Sequence, residues 1–373
     1  MKQNRKILYI VTEYKEGMRP YALSILKRVM NTESHAVIVI REERYKKDFT
    51  DFPQDKIHFV NYPEGKLNRI LFRVHPGALL KKINELIASV KPDLLYTMTE
   101  ELVLAYRIKR IMKSVNVLHT VHDAIQHDIK YESLRKYLNY KLFINIPNRI
   151  MFTKCQNLVT NSLSQFNYLR ERFPEKEVFY FNFPTLVTPQ IENGKDAVPE
   201  LKGVENYILF FGNVQLYKGV HLLYDMYSKH PELQQYPLVV AGKGDSYFPV
   251  DSNLKNVYFI NRFIEDSELN DLFAKAAVTV YPYISATQSG VLSLSSFYGK
   301  KMLLSDVPYF KSIATDVTGV KISDVKNRNV FAADLKALIE SDTNTFAFYK
   351  NTYSPSGMDE SIENAISAVC AKR

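Results

Sequence analysis

The chain of 373 residues has no tryptophan, two cysteines, and only 13 glycines and 16 prolines. Cys155 and Cys370 are too few for a disulfide framework and share no C-x-x-C spacing, which excludes a stapled secreted fold and a cysteine-bound metal. Both read as unpaired thiols. The scarcity of Gly and Pro, beside 46% apolar and 24% charged residues, excludes collagen-like and low-complexity classes. No stretch approaches the roughly 18 consecutive apolar residues of a membrane-spanning helix. The N-terminal apolar run is only Ile-Leu-Tyr-Ile-Val with no small-residue cleavage site, so no secretory leader is expected and a cytoplasmic chain is. No Asp-x-Asp occurs anywhere, so the sequence offers no pattern for a metal clamped on a diphosphate. With tryptophan absent, 25 Tyr and 22 Phe supply all the large aromatic surface.

What is present points to two domains, as the length also suggests. Residues 1–190 carry 31 Lys and Arg against 19 Asp and Glu, a net +12, whereas residues 191–373 carry 18 against 21, a net −3. A basic first half suits an anionic partner, either nucleic acid or a membrane surface. Short β-rich runs alternate with helical stretches: KILYIVTEY, HAVIVI, DLLYTM, NVLHTVHD and NLVTNS. This is the pattern of a parallel sheet covered by helices on both faces. A polar stretch at residues 187–205 reads as a linker, and the alternation restarts with YILFFGN, PLVVAG, NVYFIN and VTVYPY. The expected fold is α/β, with two Rossmann-like doubly wound domains facing a central cleft: residues 1–186, a linker at 187–205, residues 206–345, and a helical tail at 346–373 that packs back on the first domain. Ligands of open α/β sheets bind at strand C-termini, so the motifs belong there.

Three clusters in the second half carry chemistry. In FFGNVQLYKGVHLL, Gly212 lets backbone approach a ligand, Asn213 follows it, and Lys218 near a helix start suits phosphate oxygens; an ordinary strand-to-helix turn explains the same residues. In LVVAGKGDS, Gly242 and Gly244 leave room for a flat base or ribose. In NVYFINRFIEDSEL, Arg262 and Phe263 fall at a strand end, while Asp266 or Ser267 caps a helix. In VTVYPYISATQSGVLSLSSFYGKK, Gln288, Ser289, Gly290 and Val291 open a helix and present backbone N–H groups to an anion; simple capping by Ser289 is the alternative.

The order of these clusters resembles the donor-binding half of a GT-B glycosyltransferase, specifically the retaining group called family 4. KILYIVTEY, KPDLLYT, TVHD and NLVTNS match the first half of such enzymes less sharply. The resemblance implies transfer of a sugar from a UDP- or GDP-sugar, with no metal and no cofactor beyond that co-substrate, to a glycan or lipid-linked glycan acceptor in bacterial surface polysaccharide assembly. It implies that Lys218 contacts the diphosphate, that Gly242 and Phe263 lie near the base, and that Ser289–Val291 hold phosphate and sugar. His122 matches the histidine set beside sugar and acceptor, with Gly17, Arg19 and Asp123 on the acceptor side. A buried, structurally satisfied histidine is the alternative for His122.

Departures from the family pattern are specific. The two glutamates usually eight residues apart are Ala286 and Leu294 here, and the arginine usual after the first glycine is Asn213. Ser293 or Ser295 stands in for the ribose-binding carboxylate, with a weaker bond. The alternative function is a catalytically inactive, glycosyltransferase-like binding subunit. Nucleic acid is not an expected partner, since no recognition motif accompanies the basic half. KLNRILFRVHPGALLKKI and LRKYLNYKLFINIPNRIMFTK interleave apolar and basic residues, either as core-packing helices or as surfaces for the inner, anionic face of the cell membrane.

Overall fold

The computed structural model describes residues 5–15, 17–99, 101–124, 134–353 and 355–371. They form two compact units, the first built from Met1–Gln126, Tyr131–Pro184 and Pro355–Arg373, the second chiefly from Thr185–Ser354.

The first unit holds seven strands: β1 (Ile7–Tyr14), β2 (His35–Ile40), β3 (Ile57–Asn61), β4 (Leu94–Thr97), β5 (Asn116–Thr120), β6 (Asn157–Thr160) and β7 (Glu177–Tyr180). All pair in parallel, in the order β3-β2-β1-β4-β5-β6-β7. The central strands are near-continuous apolar runs because helices cover both faces and no face meets water. The helix Met18–Val29 shows how they do so: Tyr21, Ala22, Ile25, Leu26 and Val29 are buried along one stripe, and Lys27 and Arg28 stand in its last turn, where a cation suits the helix dipole. The strands β3 and β7 at the sheet's two edges lie outside the alternation read from the sequence, as do the last two strands of the chain.

The second unit holds β8 (Tyr207–Phe211), β9 (Leu238–Ala241), β10 (Val257–Ile260), β11 (Ala276–Tyr281), β12 (Met302–Ser305) and β13 (Val320–Ser323). They too are parallel, in the order β10-β9-β8-β11-β12-β13, with an apolar cluster on each face. In each unit the strand order reverses once, between β1 and β4 and between β8 and β11, which is where an open sheet leaves a crevice for a ligand.

Three boundaries differ from expectation. The stretch 187–205 is no free linker: Ile191, Val198 and Leu201 are buried in a cluster with Leu209 and Ile260 of the second unit. Their spacing among polar residues hid that burial. The tail divides in two. The helix Phe346–Tyr353 buries Phe348 and Tyr353 in the second unit, whereas Pro355–Cys370 belongs to the first. Arg5 and Arg28 bind Glu363 and Asp359 of that last helix at 3.0 and 2.8 Å, and the Asn116 amide donates to the Val369 carbonyl at 3.1 Å. Finally, Glu265, not Asp266 or Ser267, caps the helical segment after β10, in a reciprocal capping box with Glu268. No helix among the described residues is long and apolar enough to cross a membrane.

Ile362, Ala365, Ile366 and Val369 of the terminal helix are essentially inaccessible to solvent. Ile366→Ala is therefore expected to destabilise the chain by about 2–4 kcal/mol, measured by urea unfolding. An unchanged midpoint would contradict the docking of this helix.

Candidate functional site

The candidate site is built on backbone that only glycine permits. β8 ends at Phe211, and Gly212 follows at φ +130°, its N–H donating to the Ala241 carbonyl at 2.9 Å. Gly242, at φ +145°, stands so close that a Cβ there would overlap the Gly212 carbonyl; a Cβ on Gly244, at φ +135°, would lie 2.6 Å from the Val214 carbonyl. These two glycines are thus required by the meeting of strand ends, apart from any base or ribose.

Lys218 ends a single 3-10 turn, and Gly219, left-handed at φ +67°, begins the helix Val220–Lys229. The Lys218 Nζ lies 3.0 Å from where a Cβ on Gly212 would be, and Val291 Cγ1 lies 3.8 Å from the same point. Its other neighbour is the Tyr283 ring, whose centroid is 5.6 Å away. Among the described residues no carboxylate pairs with this ammonium. Burial lowers its pKa from the ordinary lysine value, opposed by the Tyr217 phenol. The loop after β11 is pinned to the same turn by the Ile284 N–H donating to the Tyr217 carbonyl at 2.7 Å. Gly212, Lys218, Tyr283 and Val291 therefore meet at the C-terminal ends of β8 and β11, the strands flanking the reversal of strand order.

Of the other expected donor residues, Ser289 is buried, Gln288 and Gly290 are half-buried, and all three lie in the loop that opens the helix Val291–Phe297. Gly290 caps that helix without a side-chain bond, so Ser289 is not its cap. Asn213 is exposed, and Phe263 is 41% exposed, available as an aromatic face. Arg262 is not available as a ligand group. Its guanidinium grips Glu200 and Glu268 with four bonds of 2.7–2.8 Å, tying the 187–205 stretch to the helix start. Nor do Ser293 and Ser295 replace a carboxylate. The Ser293 hydroxyl donates to the Gly290 carbonyl and accepts from the Leu186 N–H, and Ser295 bonds the Tyr281 hydroxyl, all beneath the surface. Leu294 packs in the cluster with Leu209 and Ala241, and Ala286 against the opposite one. Tyr283 was not foreseen; its signal was the Tyr-Pro-Tyr following a buried strand.

In the first unit, His122 follows β5 and is 9% exposed. A carbonyl only accepts, so the 2.8 Å contact of Nε2 with the Met98 carbonyl assigns the proton to Nε2 and the lone pair to Nδ1. The Gln165 amide holds the His122 carbonyl at 2.6 Å, and the Tyr21 ring meets the imidazole edge-on at 5.0 Å. Burial lowers the pKa, opposed by the bond to Met98 and by Asp123, so the neutral ring is favoured. Asp123 is half-buried, its carbonyl accepting from Asn148. Gly17 opens the helix Met18–Val29 with empty space about it. Arg19, by contrast, is not a free acceptor-side cation: it chelates buried Asp48 at 2.6 and 2.9 Å, and Tyr14 donates to the same carboxylate. Glu101, also unforeseen, caps the helix Leu102–Ile111 and lines a pocket with Lys15, Arg41 and Arg73. Burial raises its pKa.

Residues 205–341, within the second unit, match the family model described as glycosyl transferases group 1. The second unit is thus similar to group 1 glycosyltransferase domains. The whole chain shares its fold with solved structures at low identity. Anabaena HepE in complex with UDP and glucose matches at 15% identity and TM-score 0.67 over 98% of this chain and 100% of that one. Sucrose-phosphate synthase from Thermosynechococcus elongatus matches at 14% and 0.62 over 99% and 97%. The UDP-GlcNAc 2-epimerase of Methanocaldococcus jannaschii matches at 14% and 0.60 over 98% and 99%. No curated protein sequence matches the chain. These likenesses establish the GT-B architecture, and with the group 1 domain the chain is a glycosyltransferase.

A half-buried ammonium that no carboxylate pairs among the described residues is unfavourable in this glycosyltransferase when no anion is bound. The unfolded lysine keeps its proton to higher pH than the folded one, so the free enzyme gains stability as pH rises between the lowered value and the ordinary lysine value. Lys218→Met should raise the stability of the ligand-free enzyme by about 1 kcal/mol and remove that pH-dependent gain, as read by thermal unfolding at several pH values. A lower melting temperature would show that Lys218 has a structural partner.

Proposed function

We propose that the group 1 domain holds a UDP- or GDP-sugar with its diphosphate against Lys218, and that the enzyme passes the sugar to a glycan or lipid-linked glycan in bacterial surface polysaccharide assembly. The single observation that carries the donor assignment is the Lys218 ammonium, paired with no carboxylate among the described residues, at the reversal of strand order, beside a glycine that leaves the approach open. That HepE binds UDP and glucose in the same fold supports a uridine donor. The place of work is the cytoplasmic side of the cell membrane.

The proposed reaction retains anomeric configuration and uses no metal ion. The acceptor hydroxyl attacks the anomeric carbon from the face the diphosphate leaves; the C–O bond to the diphosphate breaks, and the departing phosphate oxygen takes the hydroxyl proton. Lys218 meets the growing charge on the leaving group, a preorganised electrostatic contribution of about 3 kcal/mol. His122, neutral and fixed by Met98, positions sugar or acceptor without itself carrying the proton.

A thermal-shift panel of UDP-, GDP-, ADP- and dTDP-sugars tests the donor. A UDP- or GDP-sugar should stabilise the wild type equally with and without EDTA, and Lys218→Ala should abolish the shift. A shift lost in EDTA would overturn metal independence, and no shift with any nucleotide sugar would overturn the donor assignment. Nucleotide binding without turnover across a broad acceptor set would favour the inactive binding subunit.

Because burial favours neutral His122, the kcat profile should show no inflection at the ordinary imidazole value between about pH 6 and 8. An acidic limb centred near that value would give His122 a proton-transfer role instead.

A further inference from the structure

The two basic, apolar segments of the first unit turn out differently along their lengths. Leu79, Leu80 and Ile83 of the helix Gly77–Val90, and Met151 and Phe152 of the helix Ile146–Lys154, are core residues. The preceding portions are not. The helix Lys66–Val74 buries no residue, and Leu67, Ile70, Leu71 and Val74 stand 77, 47, 60 and 50% exposed. Their spacing, i, i+3, i+4 and i+7, puts all four on one face. From Leu134 to Asn145, in a helix that passes into a π-helical turn, Leu134, Leu138, Leu142 and Ile144 are 72, 45, 47 and 46% exposed. Among the described residues these two short elements supply half of the exposed large apolar side chains.

The elements adjoin each other. Arg73 lies over the Phe143 ring at 4.9 Å, and Phe72 and Arg73 share a pocket wall with Phe143 and Ile144. The charge carried by the two elements themselves has one sign. No Asp or Glu occurs from residue 66 to 84 or from residue 134 to 170, whereas Lys66, Arg69 and Lys141 are exposed on the two elements. The pocket between them holds Lys15 and Arg41, both paired with Glu13, and also Glu101, so the cations offered to a partner are those of the elements themselves.

An apolar stripe whose own charged residues are all cations suits an interface that is apolar inside and anionic at its rim. We infer that the helix Lys66–Val74 and the segment Leu134–Asn145 form one surface that lies on an anionic lipid bilayer, with leucines and isoleucine among the acyl chains and Lys66, Arg69 and Lys141 at the phosphates. A bilayer fits better than an acidic protein, because so large an exposed apolar set needs a partner that removes it from water along its whole length. This deepens the membrane placement proposed above and stands independently of the donor assignment.

Co-sedimentation of the full chain with phosphatidylcholine vesicles, with and without phosphatidylglycerol, at low and high salt, tests it. The wild type should partition onto phosphatidylglycerol vesicles at low salt, and far less onto phosphatidylcholine alone or at high salt. The double substitution Leu67→Glu with Leu71→Glu should lower partitioning at least about tenfold, and Lys66→Glu with Arg69→Glu should remove the dependence on phosphatidylglycerol. Both pairs are exposed, so melting temperature and the UDP-sugar shift should stay those of the wild type, which separates loss of docking from loss of the donor site. A wild type that stays in the supernatant, or a Leu67→Glu, Leu71→Glu chain that sediments equally, overturns the inference. So does self-association of the wild type that the leucine substitutions abolish, which would make a second copy the occupant.

Discussion

Lys218 is half-buried in the second unit with no carboxylate among the described residues to neutralise it, and this one unbalanced charge organises the candidate site. The position follows from backbone geometry. Gly212 and Gly242 bring the ends of β8 and β9 into direct backbone contact, Gly219 turns the chain left-handed into a helix, and the loop after β11 is hydrogen-bonded to the Tyr217 carbonyl beside it. A side chain at Gly212 would stand against the ammonium. Desolvation without compensation is unfavourable for the folded chain, and an anionic ligand reverses it. An arrangement that costs stability in the free protein and is relieved by a diphosphate is what a binding site requires.

On the proposed reading, that charge takes the place of the two glutamates usual in the enzymes the chain resembles. At Leu294 the chain has joined the hydrophobic cluster beneath the helix start, and Ser293 and Ser295 are engaged by neighbours. The proposal leaves polar recognition to Lys218, to backbone N–H groups around Gly290 and to exposed Asn213, with Phe263 as an aromatic face. Within the first unit, His122 is neutral and fixed by its bond to a backbone carbonyl, an arrangement that suits orientation better than proton transfer.

Much of the fold was legible because its signals are local. Buried parallel strands are short apolar runs, and covering helices repeat every three to four residues, so nine of the thirteen strands fall on runs read from the sequence, and β7, β12 and β13, like β3, do not. β3 escaped because an edge strand carrying His58 and Asn61 lacks a continuous apolar run. The stretch 187–205 misled because three buried residues were scattered among polar ones. At the site, Lys218 and the glycines were legible from strand-turn-helix order. Arg262 and Arg19 were not correctly read, because residue type suggested anion binding while the deciding partners, Glu200 and Asp48, lie 62 and 29 residues away. Ion pairs of that range leave no trace in spacing.

The most direct test of the central claim is the ionisation of Lys218 itself, followed by heteronuclear NMR of its side chain in the free enzyme and with saturating UDP. The account predicts a pKa below that of ordinary lysine in the free enzyme and a clear rise when the diphosphate binds. A value unchanged by UDP, or one already ordinary in the free enzyme, would contradict it.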